Sequence, residues 1–157
     1  MLFRSEGGSN DLAVKGCSHI VELIPAAFQY VLLPIATGAT MAGIISGLPS
    51  NQIVHGIAVL KGKEFLQNNI DLYLSKASNT AHSNYFVHDE FHHGGYAKKS
   101  DELREFVSEF NALNDFQIEP IYTGKLFWAI REMKKNNFFL PEQQLLAIHT
   151  GGLQYLS

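Results

Sequence analysis

The groups best suited to do chemistry are concentrated in one short stretch, Ala36-Thr37-Gly38-Ala39-Thr40. It follows Tyr30 to Ile35, an apolar run of strand length, and precedes Met41 to Leu48, an apolar run that reads as a helix. A small glycine-containing turn that opens a helix presents unpaired backbone N–H groups, the positive end of the helix dipole and, here, two hydroxyls. That combination suits a phosphate. Two readings stand on these residues alone: Thr37, Gly38, Ala39 and Thr40 form a phosphate cup, or they form an ordinary strand-to-helix turn, since so short a motif matches often by chance. Three more segments carry reactive side chains: His92-His93-Gly94-Gly95-Tyr96, Tyr122-Thr123-Gly124-Lys125 and His149-Thr150-Gly151-Gly152.

The elements that must position these residues follow from pattern. Asn10 and Asp11 are good N-cap residues, and the spacing behind them predicts a first helix to about Phe28. The strand Tyr30 to Ile35 and the helix to Leu48 come next. Ile53 to Leu60 then reads as a strand buried on both faces, and Lys63 to about Lys76 as a helix. Tyr85 to His88 is a short strand running into the histidine-rich loop. Ser100 caps a helix with the apolar stripe Leu103, Phe106, Val107, Phe110 and Leu113. Ile118 to Tyr122 reads as extended, and Thr123-Gly124 leads into a helix ending near Asn136. Gln144 to Ile148 is the last strand. Strands alternating with helices predict an α/β three-layer sandwich, a mainly parallel sheet with helices on both faces. In such sheets ligands bind beyond the carboxyl ends of the strands. Ala36–Thr40, Tyr122–Gly124 and His149–Gly152 are expected to converge there.

Composition narrows the partners. The 157 residues are 46% hydrophobic with a net charge of −3, and Lys and Arg are scattered. One domain covering 1–157 is expected, with a sizeable core and no affinity for nucleic acid or an anionic membrane surface. The apolar stretch from Ile24 to Ile35 is interrupted by Pro25, Gln29 and Pro34 and is too short for a bilayer. No apolar segment follows Arg4, so no secretory signal is expected. The lone Cys17 fits a reducing compartment and a place in the first helix, and a cytoplasmic location follows. The tightest histidine group, His88, His92 and His93, lacks the His-Glu-x-x-His order and precedes Gly94-Gly95, so no metal site is expected.

Taken in order, Glu6-Gly7-Gly8-Ser9-Asn10, Ala36-Thr37-Gly38-Ala39-Thr40-Met41-Ala42-Gly43, Gly95-Tyr96, Pro120-Ile121-Tyr122-Thr123-Gly124-Lys125 and His149-Thr150-Gly151-Gly152 span nearly the whole chain. Together they resemble the C-terminal portion of the 1-aminocyclopropane-1-carboxylate deaminase and D-cysteine desulfhydrase family, pyridoxal-phosphate enzymes of the tryptophan synthase β-like fold. The resemblance implies that Thr37, Gly38, Ala39 and Thr40 hold the phosphate of pyridoxal 5'-phosphate. It implies that Thr123 contacts the pyridine nitrogen, that Tyr96 and Tyr122 are the catalytic tyrosines, and that Thr150 lines the substrate side. A hydroxyl at 123 would leave that nitrogen unprotonated and the ring a weaker electron sink.

Ring-opening deaminases resemble this chain but carry Glu in place of Thr123 and Leu in place of Thr150. The hydroxyls here look like the desulfhydrase branch, which eliminates the thiol from D-cysteine to give pyruvate, ammonia and sulfide; the alternatives are cyclopropane ring opening and a non-catalytic remnant that keeps the cup. The family's Schiff-base lysine precedes the matched region. The chain therefore reads as a fragment, a split-gene product or a truncated frame of the large cofactor-binding domain, inactive alone and expected to dimerise or to associate with the missing N-terminal half. Lys125 has no catalytic counterpart in the family and reads as structural. A nucleotide-binding domain is disfavoured, because Gly38 to Gly43 does not reproduce Gly-x-Gly-x-x-Gly.

Overall fold

A computed structural model describes residues 9–77 and 81–152. The Glu6-Gly7-Gly8 part of the first motif lies outside the described residues. Tyr30–Ile35 (β1), Ile53–Ala58 (β2), Tyr85–His88 (β3) and Leu145–Ala147 (β4) form one sheet in the order β3-β2-β1-β4. Every pairing is parallel, with Tyr30 opposite both Ile53 and Leu145. Among the described residues five α-helices accompany it: Asp11–Ser18 (α1), Ala39–Gly47 (α2), Lys63–Ala77 (α3), Asp101–Leu113 (α4) and Thr123–Lys135 (α5).

Alternation along the strands assigns the two faces. Val31, Leu33, Ile35, Val54 and Ala58 pack with Met41, Ile44 and Ile45 of α2 and Leu66, Ile70 and Leu74 of α3. On the opposite face Leu32 and Ile57 pack with Leu126, Ala129 and Met133 of α5. Both faces of the central strands are therefore dry, which explains why β1 and β2 read as nearly continuous apolar runs, with His55 of β2 the buried polar exception. The stripe of α4 closes the second face from outside, Leu103 and Val107 clustering with Ile118 of the following segment and against Phe127 and Trp128 of α5. The three-layer α/β architecture expected from the sequence is the one observed.

Local signals set the helix starts. Asn10 caps α1 by accepting the Ala13 N–H at 2.9 Å, and Ser100 caps α4 by accepting the Leu103 N–H at 3.2 Å. Gly43 lets α1 cross α2 closely, since a Cβ there would lie 2.5 Å from the Cβ of half-buried Cys17.

Two expectations are corrected. The first helix does not reach Phe28: α1 ends at Ser18 and continues as a 3-10 turn over His19–Leu23. Pro25 is the reason, because the residue before a proline is driven out of the α region, and Ile24 sits at φ −92°, ψ 111°. Ile118 to Tyr122 is not a strand, because its backbone is satisfied elsewhere. The Asn111 side chain accepts the Ile118 N–H at 2.8 Å and donates to the Ile118 carbonyl at 3.0 Å. Pro120 has no N–H to offer, and the amides of residues 121–123 turn onto the Glu119 carboxylate.

The strand order has a functional consequence. The chain winds outward from β1 to β2 to β3, then returns with β4 on the other side of β1. The boundary between β1 and β4 is a topological switch point, and the segments leaving their carboxyl ends diverge there to open a crevice.

Candidate functional site

The segment leaving β1 is Ala36-Thr37-Gly38, and the one leaving β4 is Ile148-His149-Thr150. They border a hollow of about 170 Å³ lined by Pro34 to Gly38, Thr40, Met41, Tyr122 and Thr150. Of the residues singled out from the sequence, Thr37, Gly38, Thr40, Tyr122 and Thr150 are thus brought to one place. Tyr96 joins them at the rim, where the Tyr122 hydroxyl donates to the Tyr96 oxygen at 3.1 Å and the rings meet edge to face. Ala39 is buried in the first turn of α2. A larger hollow, bordered by Asp11, Lys15, Tyr73 and Lys76, lies between α1, α2 and α3 and contains none of these residues.

The turn has the features a phosphate ester requires. Gly38 is the N-cap of α2 at φ +89°, a backbone state that glycine adopts without strain. No side chain caps the helix, so no capping oxygen competes with an anion for the first amides and the dipole. A Cβ at Gly38 would lie 2.7 Å from the Ile70 Cγ1, so the tight turn also depends on close approach to α3. Thr37 is fixed from the other side, its oxygen accepting the Ser9 hydroxyl at 2.5 Å. Its own proton remains available to an anion. The residues present therefore fit a bound phosphate group.

Thr123, next to Tyr122, is fully buried and does not itself line the hollow; its hydroxyl accepts the Glu119 N–H at 3.0 Å and meets Glu119 Oε1 at 3.2 Å. The residue that organises this corner is Glu119, which the motif reading passed over. Its carboxylate, at 0% exposure, accepts the N–H of Ile121 at 2.6 Å and those of Tyr122 and Thr123 at 2.8 Å each. A carboxylate at the N-terminus of α5 satisfies the amides that open the helix and fixes the Tyr122 backbone. Gly152 packs against the Glu119 side chain, where a Cβ would come within 3.4 Å of Oε1, so the segment after β4 rests on the same carboxylate. The Glu-Pro pair before Ile121-Tyr122-Thr123 was the available sequence signal, because a carboxylate just ahead of a helix start is an N-capping pattern.

Lys125 is also fully buried, and Nζ donates to the carbonyls of Val59 at 3.0 Å and Gly95 at 2.8 Å. Burial pulls its amine down from 10.5 to about 8, opposed by the charge of Glu119. Its engagement with two backbone carbonyls fits the structural role read from the sequence.

The histidines do not converge. His88 Nε2 lies 2.9 Å from His55 Nδ1, His92 Nδ1 accepts the Gly94 N–H at 3.0 Å, and His93 Nδ1 lies 2.9 Å from the Ser100 hydroxyl. Among the described residues no three His, Cys, Asp or Glu side chains gather as a metal site would require. No described helix is long and apolar enough to cross a membrane.

Comparison with known proteins adds kinship to this geometry. No protein-family model matches the chain. A curated protein of Thermotoga maritima named "Putative 1-aminocyclopropane-1-carboxylate deaminase" is 27% identical over 164 residues, which takes in 94% of this chain and 50% of that protein. A crystal structure described as that of "the ACC deaminase homologue" superposes with a TM-score of 0.78 at 21% identity, covering 95% of this chain and 48% of the other. The likeness in structure shows a shared fold. The chain spans about half the length of the curated relative it matches.

Proposed function

From its kinship with one portion of the 1-aminocyclopropane-1-carboxylate deaminase family, we propose that this chain is the C-terminal part of a pyridoxal-phosphate-dependent deaminase or desulfhydrase acting on a small amino acid. D-cysteine-type β-elimination to pyruvate, ammonia and sulfide is the favoured reaction, with cyclopropane ring opening the alternative. The observation that carries the proposal is the convergence at the β1/β4 switch point of the Thr37–Thr40 turn, Tyr122 and Thr150, with Tyr96 hydrogen-bonded to Tyr122.

Thr37, Gly38, Ala39 and Thr40 would hold the phosphate through backbone amides and hydroxyls. When bound, the cofactor supplies an electron sink for charge left on the substrate's α-carbon. The chain's own contribution is positioning and proton handling. The Tyr122 and Tyr96 phenols, linked oxygen to oxygen at 3.1 Å, form a short path along which a proton can move to a leaving group. Thr150, which lines the hollow, would lie on the substrate side. Thr123 would act toward the pyridine nitrogen, which requires its hydroxyl to turn from Glu119.

One observation favours a binding-only role for the chain by itself. Lys125, the lysine beside the site, is fully buried and spends its amine on two carbonyls. Covalent work on an amino acid needs an accessible lysine amine. A second polypeptide or a further segment carrying the rest of the family architecture is the proposed partner, or else a second copy of this chain. A cytoplasmic location and the absence of nucleic-acid or membrane partners belong to the same proposal.

The test is a titration of the purified, folded chain with pyridoxal 5'-phosphate, followed by absorbance and competed with inorganic phosphate. Saturable binding that phosphate displaces is expected. Sulfide or pyruvate from D-cysteine above a cofactor-only blank would overturn the binding-only role and establish turnover by the chain alone. A folded chain that binds neither cofactor nor phosphate would refute the cup.

A further inference from the structure

We propose that Lys125 is a positioning residue that sets the Tyr96–Tyr122 pair by holding the loop that carries Tyr96 against α5. The proposal rests on the functional reading above, in which those two phenols belong to the site.

The two tyrosines come from segments held in different ways. Tyr122 is half-buried, and its backbone N–H is fixed on Glu119 at 2.8 Å. Tyr96 is 52% exposed, so packing does little to locate its ring. It follows Gly95, whose φ of +121° belongs to a turn that few side chains tolerate. Within that turn the Gly95 N–H donates to His92 O and the Lys98 N–H to Gly95 O, each at 3.1 Å. These bonds give the turn its shape, but they join it only to itself.

His93 ties the start of this turn to Ser100 and the edge of Trp128, and Lys125 ties its end, at the peptide bond to Tyr96, to the rest of the molecule. One Nζ proton goes to Gly95 O, the carbonyl of the peptide bond to Tyr96, and another to Val59 O, immediately beyond β2. Since Lys125 lies one turn of α5 past Tyr122, its side chain ties together the helix bearing one phenol, the loop bearing the other and the end of a core strand. Glu119 and Lys125 thus divide the work. The carboxylate anchors the backbone at Tyr122 and the amine anchors the backbone before Tyr96, while their opposite charges offset part of each other's desolvation. A methionine would fill the volume of the lysine stem without either hydrogen bond, so packing alone does not account for an amine in so dry a place.

The experiment uses the whole chain labelled with 13Cζ-tyrosine, with the Tyr96 and Tyr122 signals assigned from the Tyr96→Phe and Tyr122→Phe variants. In the wild-type background, Tyr96→Phe removes the acceptor of the Tyr122 hydroxyl and is expected to move the Tyr122 signal by more than its linewidth. In a Lys125→Met background the same substitution is expected to leave that signal in place, while the Tyr30 and Tyr73 signals stay constant throughout. A Tyr122 response that persists in folded Lys125→Met would overturn the proposal. Should Lys125→Met fail to fold, the same pair of measurements is made in Lys125→Gln, whose shorter side chain cannot reach both the Val59 and Gly95 carbonyls, and a Tyr122 response that persists there would overturn the proposal. The measurement needs neither cofactor nor turnover. Phenol coupling that depends on Lys125 in a chain that binds no pyridoxal phosphate would therefore sink the functional reading and leave this inference standing.

Discussion

Glu119→Gln tests the account of the site most directly. The substitution keeps size and shape and changes only charge and one acceptor. The amide oxygen can take the place of Oε1 and still accept from Tyr122 and Thr123, at 2.8 Å each in the native protein. The amide nitrogen then stands where Oε2 was, 2.6 Å from the Ile121 nitrogen, so that two donors face each other in a site with 0% exposure. An orphaned buried N–H costs about 1–3 kcal/mol, and replacing charge-assisted bonds by neutral ones costs about 1 kcal/mol more. The Lys125 amine also loses its compensating charge and is pushed further below about 8. A loss of about 3 kcal/mol is expected, or about 6–12 °C in melting temperature for a chain of this size. Urea unfolding measures it as a fall in midpoint at constant m-value, with exposed Glu105→Gln as a control expected to change by less than about 0.5 kcal/mol. A Glu119→Gln midpoint indistinguishable from that control would mean that the carboxylate does not hold the start of α5, and the account of the Tyr122 anchor would fail.

Two other perturbations have defined outcomes. His55, 2% exposed and stacked on His88, has its imidazole lowered by burial and by His88 from 6.5 to about 4. Between these values the unfolded chain binds a proton that the folded chain refuses. Stability is therefore expected to be flat in this contribution above about pH 6.5 and to fall by up to about 3 kcal/mol as the pH drops toward 4. Urea midpoints across that range should show the slope in the wild type and a shallower one in His55→Leu; identical slopes would remove His55 as its source. Gly38→Ala places a Cβ 2.7 Å from Ile70 Cγ1 at φ +89°, a strain of about 1–3 kcal/mol, and should weaken phosphate binding along with the denaturation midpoint. Unchanged phosphate affinity in a folded Gly38→Ala chain would separate the turn from the cup.

The sequence by itself determined what is encoded within a few residues. The apolar runs of β1 and β2, the stripe of α4, the Ser100 cap and the hydroxyl-bearing turn at Thr37–Thr40 are short-range patterns, each read from neighbours in the chain. The end of the first helical segment is local as well, since Pro25 drives Ile24 out of the α region. That the Thr37–Thr40 turn and Thr150 would meet followed from parallel topology, and both line one hollow; Tyr122 joins them there from a turn, not from the end of a strand.

Tertiary structure decided the rest, because buried charges and hydrogen bonds find their partners across long separations. Lys125 reaches carbonyls 66 and 30 residues away, and His55 pairs with a ring 33 residues away. Ile118–Tyr122 had the composition of a strand but became a turn, because Asn111 and Glu119 took the hydrogen bonds that a sheet would have used. Residue type announces that a lysine can donate or a glutamate accept. Only the packed fold, which removes water and leaves those groups no other partner, determines what they hold in place.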